Sequence, residues 1–221
     1  MSLVNTNIEA ARQQMVEQQV RAWDVLDPKV LDVLRRVRRE AFVPAGFSGL
    51  AFADAPIPLG HGEVMLPPKM DGKILQALDL KPTDAVLDVG SGTGFLAACL
   101  SRMAARVRSL EIHADLAELA SRNLLAAAAN NVVVEKADAM QLAETNQYDA
   151  IAVSSSLPVY DTRFEQALKV GGRLFVVVGE APVMEAWLVT RTGEAAWNRV
   201  ALFETSIPAL VNARHPSRFV F

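Results

Sequence analysis

The segment VLDVGSGTGF, residues 86–95, places three glycines at alternate positions, Gly90, Gly92 and Gly94, directly after an apolar run. An apolar run bounded by glycine reads as a buried strand, and the residues after Gly94 read as the opening of a helix. Glycine admits backbone conformations closed to other residues and lets a ligand come close to the main chain. The segment therefore commits the chain to a strand–turn–helix unit that holds a ligand at the carboxyl end of a strand, a device of α/β folds.

The flanking sequence keeps that rhythm. Helices are expected over 69–79, after Gly94, over 114–129 and over 161–169, with strands near 84–89, 106–111, 132–136 and 148–153. GGRLFVVVGE (171–180) adds a glycine turn and a further buried strand. Near-continuous apolar strands alternating with helices imply a parallel sheet covered on both faces. The run EAWLVTRTGEAAWNRVALFET departs from this pattern and reads as an antiparallel hairpin turning around Gly193.

The first third is different. Residues 6–23 read as an amphipathic helix capped by Thr6 or Asn7, and a second helix starts at Asp27-Pro28 and runs to about Val37. Arg35, Arg36, Arg38 and Arg39 fall in its last turn and just beyond, where a solvated face favoured by the helix dipole is the expectation and an anion site the alternative. Residues 40–68 are dense in proline and glycine and read as a long ordered loop, the kind that carries function. The whole, residues 1–221, reads as one domain: extension and loop over 1–68, ligand-binding α/β core over 69–221.

Composition excludes several classes. The formal charge is −3, so no basic excess points to nucleic acid. A single cysteine, Cys99, rules out a disulfide framework and a cysteine zinc site, and three separated histidines form no metal pattern. No signal peptide and no run long enough to span a bilayer are visible, so the expectation is a cytoplasmic protein without a membrane partner.

What, then, does the glycine turn bind? A phosphate-binding P-loop ends in Gly-Lys-Ser/Thr, which is absent. A dinucleotide loop, G-x-G-x-x-G, would put its last glycine at Phe95. Asp88 precedes the first glycine by two residues, where a carboxylate suits a ligand amine and repels a pyrophosphate. Glu111, at the end of the next strand, is spaced to accept from ribose hydroxyls. Asp138, in KADAM, is placed for an adenine amino group if it is not simply a helix cap, with Ala139 and Met140 against the ring. A cationic nucleoside without phosphate fits this set, and S-adenosylmethionine is such a molecule. The expected binding set is Asp88, Gly90, Ser91, Gly92, Thr93, Gly94, Glu111, Asp138 and Ala139, with no metal.

The chain resembles the protein-L-isoaspartate (D-aspartate) O-methyltransferases among class I S-adenosylmethionine-dependent methyltransferases. The resemblance rests on MVEQQVRAWDVLDPKVLDVLRRVRREAFVP, on APIPLGHGEVMLPPKM, on VLDVGSGTGF, on SLE and on LKVGGRLFVVVGE, in that order. It implies a Rossmann-like doubly wound sheet of about seven strands, a monomer, and methyl transfer to a carboxylate of damaged aspartyl residues in a protein or peptide. One departure matters: Val64 and Leu66 stand where the family carries the threonine and serine of its acceptor loop. Ser154, in the triplet Ser154-Ser155-Ser156, is then the candidate hydroxyl from the opposite wall.

The acceptor positions to examine are therefore His61, Val64, Leu66 and Ser154. A carboxylate acceptor is already ionised at neutral pH and needs no base; a phenol, amine or alcohol would be helped by one, and His61 is the candidate if it does not merely brace its loop. Lys69 is expected as an exposed lysine at a helix start, with neutralisation of an anionic acceptor the alternative, and His113 is expected at a helix start. Three readings stay open: an isoaspartyl O-methyltransferase, a methyltransferase for a more apolar small molecule, and a non-catalytic binder of S-adenosylmethionine.

Overall fold

The computed structural model describes residues 3–217. Strands β3 (Ala85–Val89), β4 (Arg106–Glu111), β5 (Val132–Lys136), β6 (Tyr148–Leu157), β7 (Leu168–Glu180), β8 (Val183–Gly193) and β9 (Ala196–Glu204) form one seven-stranded sheet in the order β5-β4-β3-β6-β7-β8-β9. The first five of these neighbours are parallel; β8 is antiparallel to both β7 and β9. Six strands thus point one way and β8 alone is reversed. The expected hairpin around Gly193 is present, and a second tight turn before Val183 makes β7–β8 another hairpin, which the sequence reading lacked.

Helices cover both faces, as a parallel sheet requires. Alternate residues of one strand feed two cores: Phe175 and Val177 of β7 join one apolar cluster, Leu174 and Val176 the other. The first cluster takes in α2 (Pro28–Arg36), α3 (Pro68–Leu78), α4 (Phe95–Ser101) and α5 (Ala114–Ala126); the second takes in α6 (Arg163–Ala167). β3 is buried at every position, its one acid, Asp88, included.

The N-terminal segment begins helically at Leu3, before the expected caps, as α1 (Leu3–Met15), and then loosens through Val16–Val20 and Arg21–Trp23 to stop at Asp24 with φ +57°. Asp27 does cap α2, accepting from the Lys29 amide at 2.8 Å. Gly72 lets α3 meet this layer closely, since a Cβ there would stand 2.8 Å from Val20 Cγ1. The arginine run corrects the single-face expectation. Arg35, Arg36 and Arg38 pair with Glu17, Asp32 and Glu40, but Arg39 is wholly buried and pairs with Asp71 at 2.7 Å.

The proline- and glycine-rich loop is also more structured than expected. It holds short helical turns at Arg39–Ala41 and Ala45–Leu50 and a hairpin, β1 (Ile57–Gly60) with β2 (Glu63–Met65). No helix among the described residues is long and apolar enough to cross a membrane.

Candidate cofactor cleft and acceptor cavity

The chain runs outward from β3 to β4 and β5, then returns to the far side of β3 as β6. Strand order reverses there, and at the carboxyl ends of these strands an α/β sheet opens a crevice. A cleft lies at that point. It is walled by Gly90 and Gly92, by Leu110 and Glu111 of β4, by Ala137 and Ala139 after β5, and by Ser154 and Ser155 of β6.

The turn is built for close approach. Gly90 has φ +91°, and a Cβ there would stand 2.7 Å from Ser154 Oγ. Its amide and that of Ser91 donate to the Leu110 carbonyl, while the Gly94 amide donates to Ser91 O at 2.7 Å. Gly94 then caps α4 against the Ala120 backbone, and Asn123 Nδ2 holds the Thr93 carbonyl at 2.9 Å. Ser91 and Thr93 are buried. Beneath the turn, Ser109 Oγ donates to Asp88 Oδ2 at 2.5 Å and bonds Ser91 Oγ at 2.6 Å.

Asp88 differs from expectation. It is fully buried and not on the cleft wall, so it supports the turn from below and does not face a ligand amine directly. Its Oδ1 has no hydrogen-bond partner among the described residues. Burial pushes its carboxyl up to about 7, Glu111 and Asp71 add repulsion, and the Ser109 hydrogen bond opposes the rise.

Glu111 stands on the wall. Its Oε2 accepts from the Gly92 amide at 2.9 Å and its Oε1 from the His113 amide at 3.1 Å. Each carboxylate oxygen has about two lone-pair sites, so both keep acceptor capacity, fixed in direction, for a vicinal diol. Facing it is Glu63 of the β1–β2 hairpin, which sequence reading missed. Burial, and then the charge of Glu111, hold the Glu63 carboxyl above its ordinary range. These two acids are the charged side chains of the wall. A cleft lined by carboxylates and no lysine or arginine favours a cation and disfavours a phosphate.

Asp138 caps the turn Ala139–Gln141 through the Met140 amide at 2.8 Å and accepts from Asn212 Nδ2 at 3.0 Å. It lies off the cleft wall, and Met140 is packed in the second core, so Ala139 alone of that group reaches the cleft. The other wall comes from the tail, which carried no sequence signal. Pro208 O accepts from the Ser156 amide, the Leu210 amide donates to Ser156 O, and Pro208, Leu210 and Val211 close the cleft.

Next to the cleft, sharing Val64 and Pro208 with it, is a cavity of about 440 Å³. Leu66, Met70, Phe203 and Ile207 line it, with Trp23, Lys69 and Asp54 at one end. Lys69 Nζ donates to Asp54 at 2.8 Å and lies 3.9 Å over the Trp23 ring. Leu66 is buried and its carbonyl accepts from Arg39 Nη2. His61 is elsewhere. It occupies the hairpin turn at φ +56°, bonds Asp115 at 3.0 Å and stacks on His113 at 4.1 Å, outside both spaces. It braces the hairpin on α5 and is not placed as a base. Ser154 donates to the Val89 and Gly90 carbonyls, so it too works first as a brace. His113 starts α5, as expected.

A profile of the protein-L-isoaspartate(D-aspartate) O-methyltransferases matches residues 10–205. The chain belongs to this family. A protein-L-isoaspartate O-methyltransferase of Methylorubrum populi is 39% identical over 186 residues, 84% of this chain and 87% of that one. One from Rhodopseudomonas palustris is 36% identical over 201 residues, covering 90% and 92%. A Plasmodium falciparum structure described under the same enzyme name, with S-adenosyl-L-homocysteine bound, shares the fold with a TM-score of 0.79 at 21% identity, over 90% of this chain and 97% of that chain. Within the protein-L-isoaspartate O-methyltransferase fold, then, the glycine cleft and the cavity beyond it have Val64 and Pro208 in common.

Proposed function

We propose that this chain is an S-adenosylmethionine-dependent O-methyltransferase acting on the carboxylate of isoaspartyl residues in proteins or peptides. The observation that carries the reading is the acid-lined cleft at the glycine turn lying beside a separate cavity with which it shares Val64 and Pro208. The residues present fit the methyl donor. Glu111 offers two fixed acceptors for ribose hydroxyls, and Gly90 and Gly92 leave the main chain bare where a side chain would fill the space. Glu63 and Glu111 together suit a cationic ligand.

Bound S-adenosylmethionine supplies an electrophilic methyl on a sulfonium. The protein has to align a carboxylate oxygen with that methyl and keep water away. No residue need take a proton, because the acceptor is ionised at neutral pH. Val64 and Leu66 offer no hydrogen bond to the acceptor, and loss of a positioned donor costs roughly 10²–10³ in rate.

A second reading has its own support. Val64, Leu66, Met70, Phe203 and Ile207 make the cavity largely hydrocarbon, which penalises a peptide backbone left unpaired there and suits a more apolar small carboxylate. The test is transfer of tritiated methyl to an isoaspartyl peptide, its aspartyl isomer and a panel of apolar carboxylates. Label on the isoaspartyl peptide, rising in Val64→Thr/Leu66→Ser, supports the first reading. Label confined to apolar carboxylates supports the second, and no label on any acceptor overturns both.

A further inference from the structure

The arginine run leaves a question that methyl transfer does not answer. On the side of the molecule formed by α2, α4 and α5 lies a cavity of about 520 Å³ that shares no wall residue with the cleft or the acceptor cavity. Its floor is apolar and buried, made by Val33, Val37, Phe42 and Ala98. Its walls also carry three guanidinium groups, Arg36, Arg38 and Arg102, against one carboxylate, Asp32.

The charges do not cancel. Asp32 is engaged by Arg36 at 2.9 Å. Arg38 has only Glu40, at 3.2 Å, and that carboxylate is already bound by Arg12. Arg102 donates to the Ala127 carbonyl at 2.7 Å and has no carboxylate partner among the described residues. An apolar space of a few hundred Å³ with a few convergent polar groups is the form of a small-molecule site. Here the charged groups are three guanidiniums against one carboxylate, and guanidinium forks recognise carboxylates in a bidentate way.

We propose that this rear cavity binds a small amphipathic anion, a carboxylate on an apolar body such as a medium-length acyl chain, with the tail over Phe42 and Ala98 and the head at Arg38 and Arg102. The site is independent of the methyl-transfer chemistry. The full chain is titrated calorimetrically with octanoate, octanol and inorganic phosphate. Octanoate binds saturably at one site, and octanol and phosphate each bind at least tenfold more weakly. Arg38→Ala and Arg102→Ala each weaken octanoate roughly tenfold. Ala126→Leu, at an exposed helix position on the cavity wall, blocks it sterically while leaving S-adenosylhomocysteine binding unchanged. No saturable octanoate uptake overturns the proposal. So does equal binding of octanol, which would make the space an unselective apolar hole, or equal binding of phosphate, which would make it a surface charge patch. Octanoate affinity unchanged in both arginine variants and in Ala126→Leu overturns it as well.

Discussion

Replacing Asp71 by asparagine keeps the side chain's size and removes one charge from a pair that is 0% and 4% exposed. Arg39 also donates to the carbonyls of Ala51 and Leu66 and lies 4.8 Å over the Phe95 ring, so it ties the N-terminal layer, the acceptor loop and α4 together. Removing one partner of a buried pair leaves a charge uncompensated, at about 3–5 kcal/mol. Asparagine still accepts a hydrogen bond, so the lower figure applies. At about 2–4 °C per kcal/mol for a chain of this size, the melting temperature should fall by roughly 6–12 °C. Burial pushes the Asp71 carboxyl up to about 7 although Arg39 pulls it down, so the wild type loses stability between pH 5 and pH 8 while the variant has nothing to titrate there, and the deficit should be smaller at pH 8 than at pH 5. The assay is scanning calorimetry at both pH values, with Asp32→Asn as a control for the exposed Arg36 pair, where a change within about 0.5 kcal/mol is expected. An Arg39→Met/Asp71→Leu double variant should recover much of the loss, because a packed apolar pair can replace a buried ionic one. If Asp71→Asn melts with the wild type at pH 5, the reasoning fails.

Asp71 and Asp88 both carry carboxyls raised from 3.8 to about 7, so the folded state binds more protons than the unfolded state between those values. Their contribution is full below about pH 4 and is lost as pH rises through 7, so the unfolding free energy from urea titration should decline from pH 5 to pH 8, by an amount on the order of 2–4 kcal/mol per group, and Asp88→Asn should flatten that slope. The lowered carboxyls of Glu40, Asp149 and Asp161 act in the opposite direction, below pH 5, where their ion pairs are lost on protonation. Gly90→Ala forces a side chain into φ +91° and against Ser154 Oγ; S-adenosylhomocysteine binding should weaken more than tenfold, and adding Ser154→Ala should recover only part, since the backbone strain of about 1–2 kcal/mol remains.

What the sequence disclosed was local. The alternation of apolar strands with helices placed β4 and β5 with their observed bounds, Asp27 capped the helix it precedes, and the alternating glycines marked the crevice. What it concealed depends on partners far along the chain. The tail carries no motif, yet it bonds Ser156 and walls the cleft. Arg39 looked like its neighbours until Asp71, 32 residues away, and the Leu66 carbonyl claimed it. Glu63 sat unremarked among loop residues because its significance is its opposition to Glu111 across a space. The glycines and prolines around His61 signalled an ordered loop, but not that the ring would stack on His113 outside the acceptor cavity.

The account stands on the cleft taking a cationic nucleoside through its carboxylates. Calorimetric titration of the full chain with S-adenosylhomocysteine, and with ATP for contrast, tests this most directly. Saturable one-to-one binding of the first, lost at least tenfold in Glu111→Ala, and none of the second is the predicted result. No heat from S-adenosylhomocysteine or S-adenosylmethionine, or firm binding of ATP, would contradict it.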